Sequence, residues 1–276
     1  MSEATVNEDL MTGEEATAGD PVVEVNDRDY VNSLARGLEV IKVFTRHTPK
    51  MTLSEVAQAT GMTRATVRRF LLTLVREGYV ETNGKYFNLR PKILELGFSA
   101  LSSMDIWDVA QPIMNDLSEK LQESCFAAVL DHDSVIYVAR ATSNRRMNVG
   151  ITIGSRVPAH TVSTGRVLLA ALPDELLHQY LEEMTLTKFT PNTTTSKVQL
   201  RDQIDEVRLK GWSIVDQELE VGLRSLSVPV RDGQGKIVAA LNVCCPSMRI
   251  TLEDMRTRVL AETLEASNSI TRALQI

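Results

Sequence analysis

Between positions 30 and 90 the apolar residues fall at helical spacing in three runs and then shift to strand spacing. Val31, Leu34, Leu38, Ile41 and Val43/Phe44 predict a helix over about Tyr30–Arg46, with Ser33 available as its cap and Thr48-Pro49 as its end. Leu53, Val56 and Ala57 give a short second helix one apolar side. Thr52 with Glu55 three residues on makes a capping box, and Gly61 supplies the left-handed or tightly turned backbone that stops the helix. Thr63 caps a third helix over about Arg64–Glu77, and Gly78 ends it. Tyr79-Val80-Glu81 and Tyr86–Leu89 read as short strands joined through Thr82-Asn83-Gly84-Lys85, where Asn83-Gly84 is a hairpin signal. Helix, tight turn, helix and two-stranded ribbon together form a winged helix-turn-helix pattern.

After the ribbon, Pro91 opens a further helical run through Ile93, Leu94, Leu96, Gly97 and Leu101, ending near Ser103. It is apolar enough to pack against a partner subunit. From Asp105 the pattern begins again with a long helical stripe: Ile106, Val109, Ala110, Ile113, Met114, Leu117 and Leu121. Strands follow at Cys125–Leu130 and Val135–Ala139 around an Asp131–Ser134 turn, with a further strand over Asn148–Ile153. Helices are expected at Thr164–Leu172, Asp174–Glu183 and Val198–Lys210, then strands at Trp212–Asp216, Leu226–Val230 and Ile237–Cys245, and a closing helix over Leu252–Leu274. Helices around a central antiparallel sheet make the second region α+β and sensor-like. The resulting division is an acidic tail over 1–26, a winged module over 27–90, a linker helix over 91–104 and a second domain over 105–276.

Phasing of the third helix shows which side is free to meet a ligand. Val67, Phe70, Leu71 and Leu74 share one stripe, and at about 100° per residue Ala65, Arg69 and Arg76 lie opposite it. Thr66, Arg68 and Thr73 flank that outer side, which holds no carboxylate before Glu77. A helix of this width enters the major groove of DNA. Its arginines suit guanine edges or phosphates, its threonines bases or phosphates, and the amides after Thr63, at Arg64 and Ala65, a phosphate. Lys85 at the ribbon tip suits a phosphate as well.

Charge sharpens this picture. Residues 30–90 hold ten Lys/Arg against four Asp/Glu, a net of +6 inside a chain of net charge −6. A basic module in an acidic protein is what nucleic-acid contact predicts, the alternatives being solvated arginines on a structural subdomain or a contact with an acidic protein. Residues 1–26 carry seven Asp/Glu and no Lys or Arg, and read as a disordered tail that either screens the basic module or stays inert. Their acidity is unlike a secretory signal, and no apolar run approaches the roughly 18 residues of a membrane span. Three cysteines, two of them adjacent, give no disulfide framework, which fits a reducing cytoplasm.

In the second domain three segments set small and polar residues against apolar strands: Val157–Arg166, Asp216–Ser225 and Asn242–Cys245. Alternation puts Asn242 and Cys244 on one side of their strand and Val243 and Cys245 on the other, so an inward Asn242 needs a partner that a polar ligand could supply. Ser163 or Thr164 at a helix start offers an anion site. Arg145, Arg146, Arg166 and Arg224 can each meet a carboxylate, as they also would in ordinary ion pairs. The competing reading is that Asn242 and Asp216 only tie strands and loops together. Enzyme motifs are missing: Ser163-Thr164-Gly165 is no nucleophile elbow, and there is no Walker sequence, GxGxxG or HExxH. Cys244-Cys245 cannot both face one metal from an extended strand, and four scattered histidines, His47 among them, make no zinc site. No cofactor, metal or catalytic residue is expected.

These residues carry a resemblance. The run Ser33–Ile41, the helix-turn-helix, and the stretches VPAHTVSTGRVLLA, GWSIVDQELEVGLRSLSVPV and AALNVCCPSMRIT are similar to the IclR family of bacterial transcriptional regulators, over roughly residues 30–272. Within it the chain resembles the Pca and Pob regulators of the β-ketoadipate pathway, which control degradation of protocatechuate and related aromatic acids. The resemblance implies an N-terminal winged helix-turn-helix, a GAF-like effector domain, a dimer that often pairs into a tetramer, operator DNA as partner and a small carboxylate as effector. It places effector contacts at Asp216, Ser225, Asn242 and Cys244 and in the loop around His160 and Thr161. Asn242 and Cys244 stand where glyoxylate-responsive members carry small hydroxyl residues, which favours aromatic acids or β-ketoadipate over the simplest α-keto acids.

Overall fold

The computed structural model describes residues 30–45, 48–96, 106–142 and 150–274. The acidic tail, His47, Arg145, Arg146 and the greater part of the expected linker helix lie outside the described residues. The chain divides into two compact units, one up to residue 96 and one from residue 97.

In the first unit, α1 (Asn32–Lys42), α2 (Leu53–Thr60) and α3 (Arg64–Arg76) close over a core of Val40, Val56, Val67, Leu71, Val80 and Phe87. The Thr52 capping box forms as expected, with Thr52 N–H donating to the Glu55 carboxylate (2.7 Å) and Glu55 N–H donating back to the Thr52 hydroxyl (3.4 Å). Those bonds to Thr52 hold the Glu55 carboxyl below its ordinary pKa. Gly61 follows at φ 68°, a left-handed value that a side chain would disfavour.

Three local details differ from expectation. Helix α1 is shorter at both ends, and its cap position is Val31, with no side-chain cap bond from Ser33. A strand β1 (Lys50–Thr52) joins β2 (Val80–Thr82) and β3 (Tyr86–Leu89) in a sheet of order β1-β3-β2, with Met51 opposite Phe87. Three residues with one buried apolar position carry too little alternation to announce a strand, and the last of them also caps α2. Past the ribbon, the expected linker helix opens as a 3-10 turn over Pro91–Leu94 and is helical at Glu95 and Leu96, the last residues described before Ile106.

The second unit is built on a six-stranded antiparallel sheet: β4 (Ser124–Asp131), β5 (Ser134–Ala141), β6 (Arg156–Pro158), β7 (Ser213–Asp216), β8 (Leu223–Arg231) and β9 (Ile237–Pro246), in the order β6-β5-β4-β9-β8-β7. Helix α4 (Ile106–Leu121) and the closing helix cover one face, on a core that includes Met114, Leu241, Val243, Cys245 and Met255. Helices α5 (Ser163–Ala170), α6 (Asp174–Glu183) and α7 (Lys197–Lys210) cover the other, over Phe126, Tyr137, Leu169, Ile204 and Cys244. The closing helix starts at Leu252–Asp254, widens into a π turn over Met255–Val259 and continues as α8 (Leu260–Ala273).

The strand expected at Asn148–Ile153 is not there among the described residues; the strand is Arg156–Pro158, paired with β5. Gly154 explains the shift. Its φ of 84° turns the chain, its N–H donates to Tyr137 O (2.7 Å), and regular pairing starts only beyond Ser155.

Candidate nucleic-acid and effector sites

Packing of α3 turns Val67 and Leu71 inward and leaves Arg64, Ala65, Arg68, Arg69, Thr73 and Arg76 exposed, with Thr66 half-buried. Thr63 caps the helix through its hydroxyl, which accepts from Thr66 N–H (3.3 Å) and lies 2.9 Å from the Thr66 hydroxyl. The N–H groups of Arg64 and Ala65, in the first turn, have no intrahelical acceptor and point out of the helix start. Thr73 donates its hydroxyl proton to Arg69 O (2.9 Å), which leaves its lone pairs free. Among the described residues no carboxylate pairs with Arg64, Arg68, Arg69 or Arg76. The ribbon tip is held by Asn83, whose Oδ1 accepts from Lys85 N–H (3.1 Å) and Tyr86 N–H (2.9 Å). Lys85 extends from it with its ammonium 5.2 Å from the Tyr86 ring centre. Such a face, cationic and rich in unspent donors, can bind a polyanion.

In the second unit the sheet register assembles a buried polar cluster. On β9, Cys244 lies between Ser124 and Ser225, and Asn242 between Phe126 and Ser227. Ser163, first residue of α5, lands on the same sheet face, 2.9 Å from the Ser225 hydroxyl and 2.7 Å from that of Ser227. Asn242 Nδ2 donates to Ser163 Oγ (3.1 Å), Ser227 Oγ (3.0 Å) and Leu226 O (3.1 Å), and its Oδ1 accepts from the Cys244 thiol (2.9 Å). Asn242 is thereby satisfied inside the protein. Beside this cluster is a small cavity of about 10 Å³, room for about one water, lined by Tyr137, Thr161, Val215, Leu219, Ser225 and Cys244 among others. Burial pushes the Cys244 thiol up to about 12 and raises the Tyr137 phenol as well, so both are neutral donors at this wall.

The six expected effector residues therefore divide. Thr161, Ser225 and Cys244 line the cavity, and Asn242 supports its floor through Cys244. His160 is buried beside them, with Nε2 3.1 Å from Thr187 O and Nδ1 without a partner. Burial first, and the nearby Arg166 charge, lower its pKa and keep the imidazole neutral. Asp216 takes no part in the cavity. Alternation on β7 turns Val215 into it, while the Asp216 carboxylate pairs with Arg224 (2.6 Å) and borders an outer cleft. Strand alternation was the available signal for Val215.

Arg166 was expected to meet a carboxylate, and that carboxylate is one the sequence reading did not single out, Glu218. Arg166, 4% exposed, donates from Nη2 to both Glu218 oxygens (2.7 Å each) and to His160 O (3.2 Å). The Thr190–Thr194 loop closes on the same carboxylate: Thr194 N–H donates to it (2.8 Å), and the Thr193 hydroxyl donates to Glu218 O (2.6 Å). Gly165 permits this arrangement, since a Cβ there would sit 2.0 Å from Ala159 O. Among the described residues no group of three His, Cys, Asp or Glu is placed to hold a metal ion, and no helix is long and apolar enough to cross a membrane.

Comparison with known proteins then bears on both units. The IclR helix-turn-helix domain matches residues 33–84, and the family described as bacterial transcriptional regulator IclR C-terminal matches residues 98–272. The Pca regulon regulatory protein of Pseudomonas putida is 40% identical over 249 residues, covering 90% of this chain and 86% of the relative. The p-hydroxybenzoate hydroxylase transcriptional activator of Acinetobacter baylyi is 32% identical over 252 residues, covering 90% and 93%. Among solved structures, a transcriptional regulator of Rhodococcus sp. RHA1 superposes with a TM-score of 0.79 at 47% identity, over 89% of this chain and 98% of that one. The chain belongs to the IclR family of bacterial transcriptional regulators.

Proposed function

We propose that this IclR-family chain is a ligand-responsive regulator of an aromatic-acid catabolism operon of the β-ketoadipate type, binding palindromic operator DNA as a dimer or tetramer. The observation that carries the DNA part is the outer face of α3, four guanidinium groups without a carboxylate partner among the described residues. The pathway part is supported by the near full-length likeness to the Pca and p-hydroxybenzoate regulators. In this reading Thr63, Arg64, Ala65, Thr66, Arg68, Arg69 and Thr73 meet bases and phosphates in the major groove, and Lys85 meets a phosphate beside it. The sheet with helices on both faces is read as a GAF-like effector domain, and the protein as cytoplasmic and nucleoid-associated.

The effector is a small carboxylate of the protocatechuate, 4-hydroxybenzoate or β-ketoadipate class, received at the small cavity by Thr161, Ser225 and Cys244, with Asn242 and His160 beside them and Asp216 apart, at the outer cleft. Ligand sites usually offer about 300 Å³ or more. A cavity of about 10 Å³ admits such a molecule only if Leu219 and the neighbouring lining residues move outward. That requirement links occupancy to conformation: an effector that binds the opened form shifts the population toward it. Half-sites on the operator demand a fixed separation of the two recognition helices, so the shift alters operator affinity.

A mobility-shift titration with promoter DNA and excess nonspecific competitor, paired with calorimetry on the three acids, tests both parts. One acid should bind saturably and change the shift, and Asn242→Leu should lose that response while the folded variant still binds effector-free DNA. Protein that shifts promoter DNA but binds none of the three acids would discard the pathway and keep the regulator.

A further inference from the structure

On the outer face of α3 one side chain is unlike its neighbours. Leu72 is 42% exposed and takes no part in the core of the first unit, which Val67 and Leu71 enter and Phe70, Leu74 and Val75 border. At about 100° per residue it falls between Arg68 and Arg69, on a line that runs from Ala65 to Arg76. Arg68, Arg69 and Arg76 are all exposed, and none has a carboxylate partner among the described residues. A lone exposed leucine is ordinary, and Leu209, 89% exposed, is one. What sets Leu72 apart is its place, at the centre of a cationic surface with guanidinium groups on either side. The helix itself does not ask for leucine there. Arginine, lysine or glutamine keeps helix propensity about as well and presents less apolar surface to water.

In the major groove the phosphates and the hydrogen-bonding base edges suit the arginines and threonines of α3, and a leucine can pair with neither. The groove presents one apolar group, the 5-methyl of thymine, and Leu72 matches it in chemistry. An apolar protein surface is a poorer occupant, because it would bury the surrounding guanidinium groups without a counter-ion. Resting on the DNA reading of α3, we propose that Leu72 is a specificity-determining residue, packed in the complex on the 5-methyl group of one thymine in each operator half-site. The arginines beside it hold the helix in the groove, and Leu72 selects the base that lies under the centre of the face.

Uracil keeps every hydrogen-bonding group of thymine and lacks the methyl, so replacing operator thymines one at a time with deoxyuridine isolates this contact. In mobility-shift titrations of full-length protein with excess nonspecific competitor, uracil at one position in each half-site should weaken binding about three- to fivefold, the amount expected for one buried methyl group. Leu72→Ala should bind the all-thymine operator more weakly by at least that factor and lose its sensitivity to uracil at that position. Leu72→Lys should lose the sensitivity too, while binding nonspecific DNA more tightly. At an exposed position both changes spare the fold. Wild-type protein that shifts the operator but tolerates uracil at every thymine overturns the proposal and leaves the regulator reading standing. So does a Leu72→Ala protein with unchanged operator affinity, or one that keeps the wild-type pattern of uracil sensitivity. A change in oligomeric state on Leu72→Ala, read by sedimentation, would place the residue in a contact between copies and overturn it as well. Wild-type protein that shifts no promoter DNA over the competitor would overturn both readings together.

Discussion

From Tyr30 to Leu96 the exposed arginines of α3 have no carboxylate partner among the described residues, whereas in the second unit Arg156, Arg166, Arg201, Arg208, Arg224 and Arg249 each reach an Asp or Glu. The difference lies in what the carboxylates are doing. Glu55 is spent on the Thr52 capping box, and Glu81 accepts from Asn88 Nδ2 (2.7 Å) across the ribbon. The α3 arginines are thus left to an outside anion, with a field that salt will screen. In the second unit the same residue type ties loops to the sheet. The comparison teaches that an arginine's role is read from its counter-ion, and only secondarily from local composition.

Breaking the pair at the second unit's centre should have the largest effect. Arg166→Met leaves Glu218 buried without its counter-ion and should cost about 3–5 kcal/mol in denaturant unfolding. A loss below about 1 kcal/mol would show the pair to behave like a surface one, and the contrast between the units would weaken. The converse test is Arg69→Ala. It should change stability by no more than about 0.5 kcal/mol, yet weaken operator binding by about 1–3 kcal/mol. A folded Arg69→Ala protein with unchanged operator affinity at low salt would remove α3 from the interface.

Smaller effects sharpen the comparison within the second unit. Arg201 bridges Asp174 and Asp205 at the surface, where Asp174 is 71% exposed, so Arg201→Met should cost less than about 1 kcal/mol by the same unfolding assay. Acid should expose the subtlest difference. His160 is held neutral by burial and by the Arg166 charge, so its folded pKa lies below its unfolded value of about 6.5. Its contribution is present above that value and is lost as pH falls through it, because the unfolded chain then binds the additional proton. Unfolding measured from pH 7 to pH 5 should show a decline that His160→Gln flattens. An identical decline in the variant would assign the acid sensitivity to other groups.

Much of the first unit was legible along the chain because its devices are local. The capping box, the left-handed Gly61, the Val67/Leu71 stripe and the Asn83-Gly84 tip each act within a few residues. The missed β1 strand is the exception that fits this account, since its pairing partner lies 36 residues away at Phe87. In the second unit alternation placed Asn242 and Cys244 on one face correctly, but it could not say what would meet them.

The sequence by itself determined most of the helices and strands, though not β1 or β6, which face of α3 is polar, and the family to which the motifs belong. Only the tertiary structure decided that Ser163 reaches Asn242 across 79 residues, that Arg166 is matched to Glu218, and that Val215 rather than Asp216 turns into the cavity. The physical reason is range. Periodicity and capping are set by neighbours within one or two turns, while these contacts depend on strand order, register and the close approach that Gly165 allows at Ala159.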